Sequence, residues 1–112
     1  MKLGTFLRIT DIKDAQSKFD NLKNSGFEAC QLVYKPDIYK KEDAKIIKSA
    51  AQNSSIDISA MFCGYNDTDT TWDNYYGFIT AGLGVEAYRK SRTDYVKSAI
   101  EFAHEVGIED AI

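Results

Sequence analysis

Three apolar runs, LGTFLR at residues 3 to 8, EACQLVY at 28 to 34 and DISAMFC at 57 to 63, alternate with stretches whose apolar residues step by three or four. That alternation is the strongest constraint on the fold. Runs that are apolar nearly throughout belong to strands buried on both faces, and strands separated by helices pair in parallel through right-handed crossovers. The first helix is predicted from Asp11 as N-cap, with Ile12, Ala15, Phe19 and Leu22 on one stripe and Gly26 as the stop. After the second run Pro36 breaks the strand, and a Lys-rich helix is predicted from Lys41 to Gln52 with Ala44, Ile47 and Ala51 turned inward. A third helix is predicted from Val85 to Val106, carrying Tyr88, Tyr95, Ala99, Phe102, Ala103 and Val106 on its core face and closed by Gly107. The apolar residues of IEDAI, 108 to 112, then read as the start of a fourth strand.

Units of this kind close into a (β/α)8 barrel when there are eight of them, which takes about 250 residues. The 112 residues here hold roughly three and a half units, so the expected class is α/β, a partial TIM barrel with parallel strands spanning residues 1 to 112 as one domain. A doubly wound sheet is the alternative. It lacks its usual phosphate loop, because RITDIKDAQ after the first strand contains no Gly.

Fourteen basic and seventeen acidic residues give a net charge of -3, and the signs are mixed along the chain. Such a surface is not what nucleic acid or an anionic membrane attracts. MKLGTFLRIT is too short an apolar run for a secretion signal, and no stretch reaches the length of a membrane span, so a cytoplasmic protein is expected. Cys30 and Cys63 sit inside apolar runs and read as reduced thiols. With one His and no CxxC, a zinc site is not expected.

Beside these patterns, GFEACQL, ISAMFCGY, the loop WDNYYGFITAGLG and the helix AYRKSRTDYVKSAIEFAHEVGI resemble segments of the xylose-isomerase-like superfamily of sugar and sugar-phosphate isomerases and epimerases. Its barrel is shared with the family 2 AP endonucleases. The resemblance spans nearly all of the chain and implies the N-terminal half of that fold. It further implies a divalent metal, manganese, magnesium or similar, held by Glu, Asp and His of later strands, and a Glu that moves a proton through an enediolate. Those strands are not in this sequence, so this chain alone is expected to bind no metal and to be inactive. The nuclease reading is disfavoured, because relatives of that branch draw a metal-ligating His from the end of strand three, where this chain has Cys63, Gly64 and Tyr65. A third expectation is non-catalytic: a half-barrel with two open sheet edges pairs with a second copy of itself.

Barrel sites are built by the loops that follow the strands, and residues 64 to 84 form a connection far longer than the roughly two to six residues usual there. Trp72, Tyr75 and Tyr76 on that loop could wall a sugar ring or pack the loop onto the rim. Asp67, Asp69 and Asp73 fail the calcium-loop template, which would need Gly and Glu where Trp72 and Phe78 stand. Gln31, polar in mid-strand, points either to substrate or to a backbone partner. Arg8 closes the first strand and calls for an anionic ligand or a mouth open to water. The candidate substrate-binding residues are therefore Arg8, Gln31, Trp72 and Tyr75. Arg89 and Arg92 could clamp a phosphate or pair with carboxylates such as Glu86. Cys63 lacks a nearby His to activate it, and His104 suits the C-terminal end of its helix.

Overall fold

The computed structural model describes residues 1–64, 82–110 and 112. Trp72, Tyr75, Tyr76 and the acidic triplet Asp67, Asp69 and Asp73 lie outside the described residues.

Strands β1 (Gly4–Leu7), β2 (Ala29–Val33) and β3 (Asp57–Phe62) form one parallel sheet in chain order, β1-β2-β3. Helices α1 (Ala15–Asn24), α2 (Ala44–Asn53) and α3 (Glu86–Val106) supply one continuous core with it. Leu7, Cys30, Leu32 and Met61 from the sheet meet Ala15 and Phe19 of α1, Ile47 and Ala51 of α2, and Ala99, Phe102 and Val106 of α3. A doubly wound fold places helices on both faces and reverses strand order at a switch point. Consecutive order with all three helices packed on the same core is the winding of a barrel wall.

The opposite face carries Phe6, Gln31 and Ala60 in one row and Val33 beside Phe62 in the next, as the strand registers set them. Phe6 is 60% exposed and Phe62 38% exposed, and their rings meet edge to face at 6.2 Å. Between Cys30 and Gln31 the β2–β3 register slips, leaving Ser59 as an extra residue whose hydroxyl donates to the Cys30 carbonyl at 3.2 Å. This bulge moves Ala60 opposite Gln31.

The expected helices are all present, but two begin differently. Asp11 caps a 3-10 turn, Ile12–Asp14, by accepting from the Lys13 amide at 3.0 Å, and the α-helix follows. A second such turn, Lys41–Asp43, precedes α2, with the Asp43 carboxylate accepting from the Lys40 amide at 2.8 Å. All three helices end alike. The Phe27, Ile56 and Ile108 amides reach back to the carbonyls of Leu22, Ala51 and Ala103, across a left-handed residue at Gly26, Ser55 and Gly107.

The expected fourth strand is not assigned as one. Its neighbourhood to β3 is real, however: the Met61 amide donates to Asp110, the Ile112 amide to Met61, and the Cys63 amide to Ile112, at 2.7 to 2.8 Å. One residue donating and accepting between partners two apart is the parallel-ladder pattern. No helix among the described residues is long and apolar enough to cross a membrane.

Candidate functional site at the carboxyl ends of the strands

The three strands stop at one end of the sheet around a cleft of about 180 Å3, lined by Arg8, Val33 to Asp37, Phe62 to Gly64 and Tyr95. Two of the strands stop for a local reason. After β1 the chain turns toward the Asp11 cap; after β2 Pro36 removes a ladder donor.

The floor is aromatic. Tyr34 lies 5.4 Å from Tyr95 and 5.5 Å from Phe102, and Tyr39 lies 5.1 Å from Phe102, ring centre to ring centre. Two phenols tie the strand ends down. The Tyr39 hydroxyl donates to the Val33 carbonyl, and the Tyr95 hydroxyl donates to the Cys63 carbonyl at 3.1 Å. Burial raises both phenols, that of Tyr95 to about 12, so both remain neutral donors at physiological pH.

The rim is charged. Arg8, Lys35 and Asp37 are exposed, and none makes an ion pair among the described residues. Arg8 is exposed and lines the mouth of the cleft. Cys63 is partly exposed, with its thiol 3.2 Å from the Ile112 carbonyl. Burial pushes the Cys63 thiol up, against the backbone amides of Cys63 and Gly64 that pull it down, which makes it a weaker nucleophile than a free thiol.

Gln31 is elsewhere. It is half-buried on the open face and lines a second hollow, of about 510 Å3, with Lys2, Gly4, Phe6, Asp57 and Ser59. Its side chain takes no partner among the described residues. That hollow lies toward the amino ends of the strands, where Gly4, Ala29 and Asp57 sit side by side. Arg8 and Gln31 are therefore not brought together. Arg89 and Arg92 do not form a phosphate clamp either. Arg89 donates to the carbonyls of Leu83 and Gly84 at 3.2 and 3.3 Å. Arg92 is 1% exposed, donates to Gly82 at 2.9 Å and lies 4.8 Å over the Tyr88 ring. Helix α3 points one arginine outward and buries the other, so the three-residue spacing does not present a shared face to ligand.

Lys35, Asp37 and Tyr95 are cleft residues that pattern reading does not single out. Lys35 and Asp37 flank a proline in what reads as an ordinary polar loop, and Tyr95 reads as core. The only usable signal is that Lys35 and Asp37 directly follow a strand on the barrel's loop face.

Among the described residues no three His, Cys, Asp or Glu side chains converge to hold a metal ion, and the described lining of the cleft includes Asp37 and Cys63.

No family model matches the chain, and no curated protein does. Solved structures do. A xylose isomerase domain protein from Planctomyces limnophilus matches with a TM-score of 0.77 and 21% identity, over 98% of this chain and 38% of that one. The 3-keto-D-glucoside 4-epimerase YcjR from E. coli, in its apo form, matches with a TM-score of 0.67 and 18% identity, over 99% of this chain and 36% of that one. The chain spans little more than a third of the length of the structures it matches. At these identities the likeness speaks to fold alone, and that fold is part of a TIM barrel.

Proposed function

We propose that this chain provides the substrate-holding first staves of a sugar isomerase or epimerase. The observation that carries the reading is the cleft at the carboxyl ends of β1, β2 and β3, the end at which barrel enzymes place their active sites, in a fold shared with a xylose isomerase domain protein and a sugar epimerase. At about 180 Å3 it is smaller than the roughly 300 to 1,000 Å3 of ordinary ligand pockets, as one wall of a larger site should be. Its aromatic floor and charged rim suit a sugar, which presents apolar ring faces and hydroxyls together.

The reaction assigned to the whole barrel is proton transfer between adjacent carbons through an enediolate, and the divalent metal expected with it requires ligands beyond those described here. This chain's own part is binding and orientation. The test is proton exchange: a barrel completed around this chain, supplied with manganese or magnesium, is incubated with aldoses and ketoses in deuterated water. Deuterium should appear at the carbon next to the carbonyl; its absence from every sugar tried refutes the assignment.

A second reading has its own observation. Phe6 and Phe62 stand exposed on the open sheet face, and among the described residues β1 is an edge strand. On its own the chain should bury that face against a second copy, a half-barrel dimer without catalysis.

A further inference from the structure

Both margins of the sheet present main-chain groups with no neighbour among the described residues, and the two margins are unlike. In a parallel ladder the amide and carbonyl of one residue point to the same side, and those of the next residue point to the other. The Leu3 carbonyl accepts from the Glu28 and Ala29 amides at 2.9 and 3.2 Å. Leu3, Thr5 and Leu7 therefore face β2, while Gly4 and Phe6 turn their amides and carbonyls outward. At the far margin Asp110 and Ile112 bond to Met61 and Cys63, which turns the main chain of Glu109 the other way. Glu109 makes no main-chain bond among the described residues.

Charge tells the margins apart. Residues 1 to 10 carry Lys2 and Arg8 and no acid; residues 108 to 112 carry Glu109 and Asp110 and no base. Pairing β1 with β1 of another copy sets cations against cations, and pairing the last segment with itself sets acids against acids. Joining β1 to residues 108 to 112 brings opposite signs together and keeps every strand parallel. Apolar side chains stand at the same two margins, where Leu3, Phe6 and Ile112 are each more than half exposed. Stacking the open faces instead would bury the Gln31 amide, which has no partner among the described residues, and would leave both edges in water.

With residues 108 to 112 laid beside β3 the sheet counts four staves, and two such sets make the eight of a closed barrel. We propose that the partner of the open edges is a second copy of this chain, bound edge to edge. In this dimer β1 of each copy pairs in parallel with residues 108 to 112 of the other, and the two close one eight-stranded ring about a twofold axis. The inference rests on the half-barrel dimer reading above and specifies how the copies join. Because all strands of the ring run one way, the carboxyl-end clefts of both copies open at the same mouth, and Phe6 and Phe62 of both face the lumen.

Amide hydrogen exchange on the 112-residue chain, followed residue by residue by NMR across a dilution series whose association state is read by sedimentation, tests the pairing. In the dimer the Gly4, Phe6 and Glu109 amides should exchange at least about a hundredfold more slowly than in the dilute monomer, while the Thr5 amide, which faces β2 in both states, is protected throughout. Glu109→Lys with Asp110→Lys, both at exposed positions, should keep the circular dichroism of the wild type and raise the dimer dissociation constant at least about tenfold. A dimer in which Gly4, Phe6 and Glu109 exchange as fast as in the monomer, or one indifferent to the two lysines, overturns the edge pairing and leaves a face-to-face dimer standing. A monomer at every concentration up to millimolar removes the pairing and the dimer reading together.

Discussion

Ser55 shows how one residue's backbone decides a local free energy. It occupies the left-handed position after α2 with φ of 52°, the place that Gly26 and Gly107 take after α1 and α3. A Cβ there is disfavoured by roughly 1 to 2 kcal/mol, while Gly carries a larger entropy in the unfolded chain. Ser55→Gly should therefore stabilise the protein by about 0.5 to 1 kcal/mol in urea denaturation. Gly26→Ala should cost about 1 kcal/mol although open space surrounds the new methyl, because the cost lies in the backbone alone. The two glycines were readable as helix stops because Gly is the usual residue there; Ser55 was not, since a serine in NSS signals a turn without its handedness. Asp20 supplies a prediction in pH. Its carboxyl accepts from Ser54 at 2.6 Å and from Gln16 at 2.9 Å, and these bonds, Ser54 first, hold it below its ordinary 3.8 against a small desolvation effect. A depressed carboxylate stabilises the fold above its unfolded value and loses that contribution as pH falls through its folded one. The stability gap between the wild type and Asp20→Asn should thus be present at neutral pH and shrink through the acid limb below 3.8. A gap independent of pH would show that the charge is irrelevant.

At the scale of elements, what the pattern predicted well was what burial enforces. Phe19, Ile47, Phe102 and Val106 lie inward as their spacing requires, and β1 to β3 fall within the apolar runs. Helix starts were less legible, because the Asp11 cap and the Lys40–Asp43 box initiate 3-10 turns, and a capping residue looks the same before either helix type. The face chosen by Gln31 was undecidable in a run apolar on both sides, and the β3 bulge at Ser59 spoils any strict alternation there. Arg8 could be found, as a charge closing an apolar run. Lys35 and Asp37 could not, because their meaning comes only from convergence with other strand ends. The tie between α3 and β3 is testable through Tyr95→Phe, which leaves the Cys63 carbonyl without its 3.1 Å donor. The variant should lose about 1 kcal/mol and remove a phenol that titrates only at about 12 by ultraviolet absorbance. An unchanged stability would mean that the ring packing alone holds α3 in place.

For the whole molecule, the sheet has one face filled by helices and one that shows Phe6 and Phe62 to whatever lies across from it. In sedimentation at micromolar concentration the chain alone should self-associate, and Phe6→Lys should shift it toward monomer; a monodisperse wild-type monomer would rule out the half-barrel dimer. Parallel pairing in chain order makes the two ends of the sheet chemically unlike. The amino end holds the larger hollow, about 510 Å3 around Gly4, Gln31 and Asp57, and the carboxyl end holds the smaller cleft between Arg8 and Gly64. Size favours the first and fold favours the second, so the account turns on which end meets the sugar. The most direct measurement is an amide chemical-shift map of the 112-residue chain titrated with xylose. Shifts gathered at Arg8, Val33 to Asp37 and Phe62 to Gly64 are the predicted result; shifts gathered at Lys2, Gly4, Gln31, Asp57 and Ser59 would place the sugar at the wrong end of the strands and contradict it.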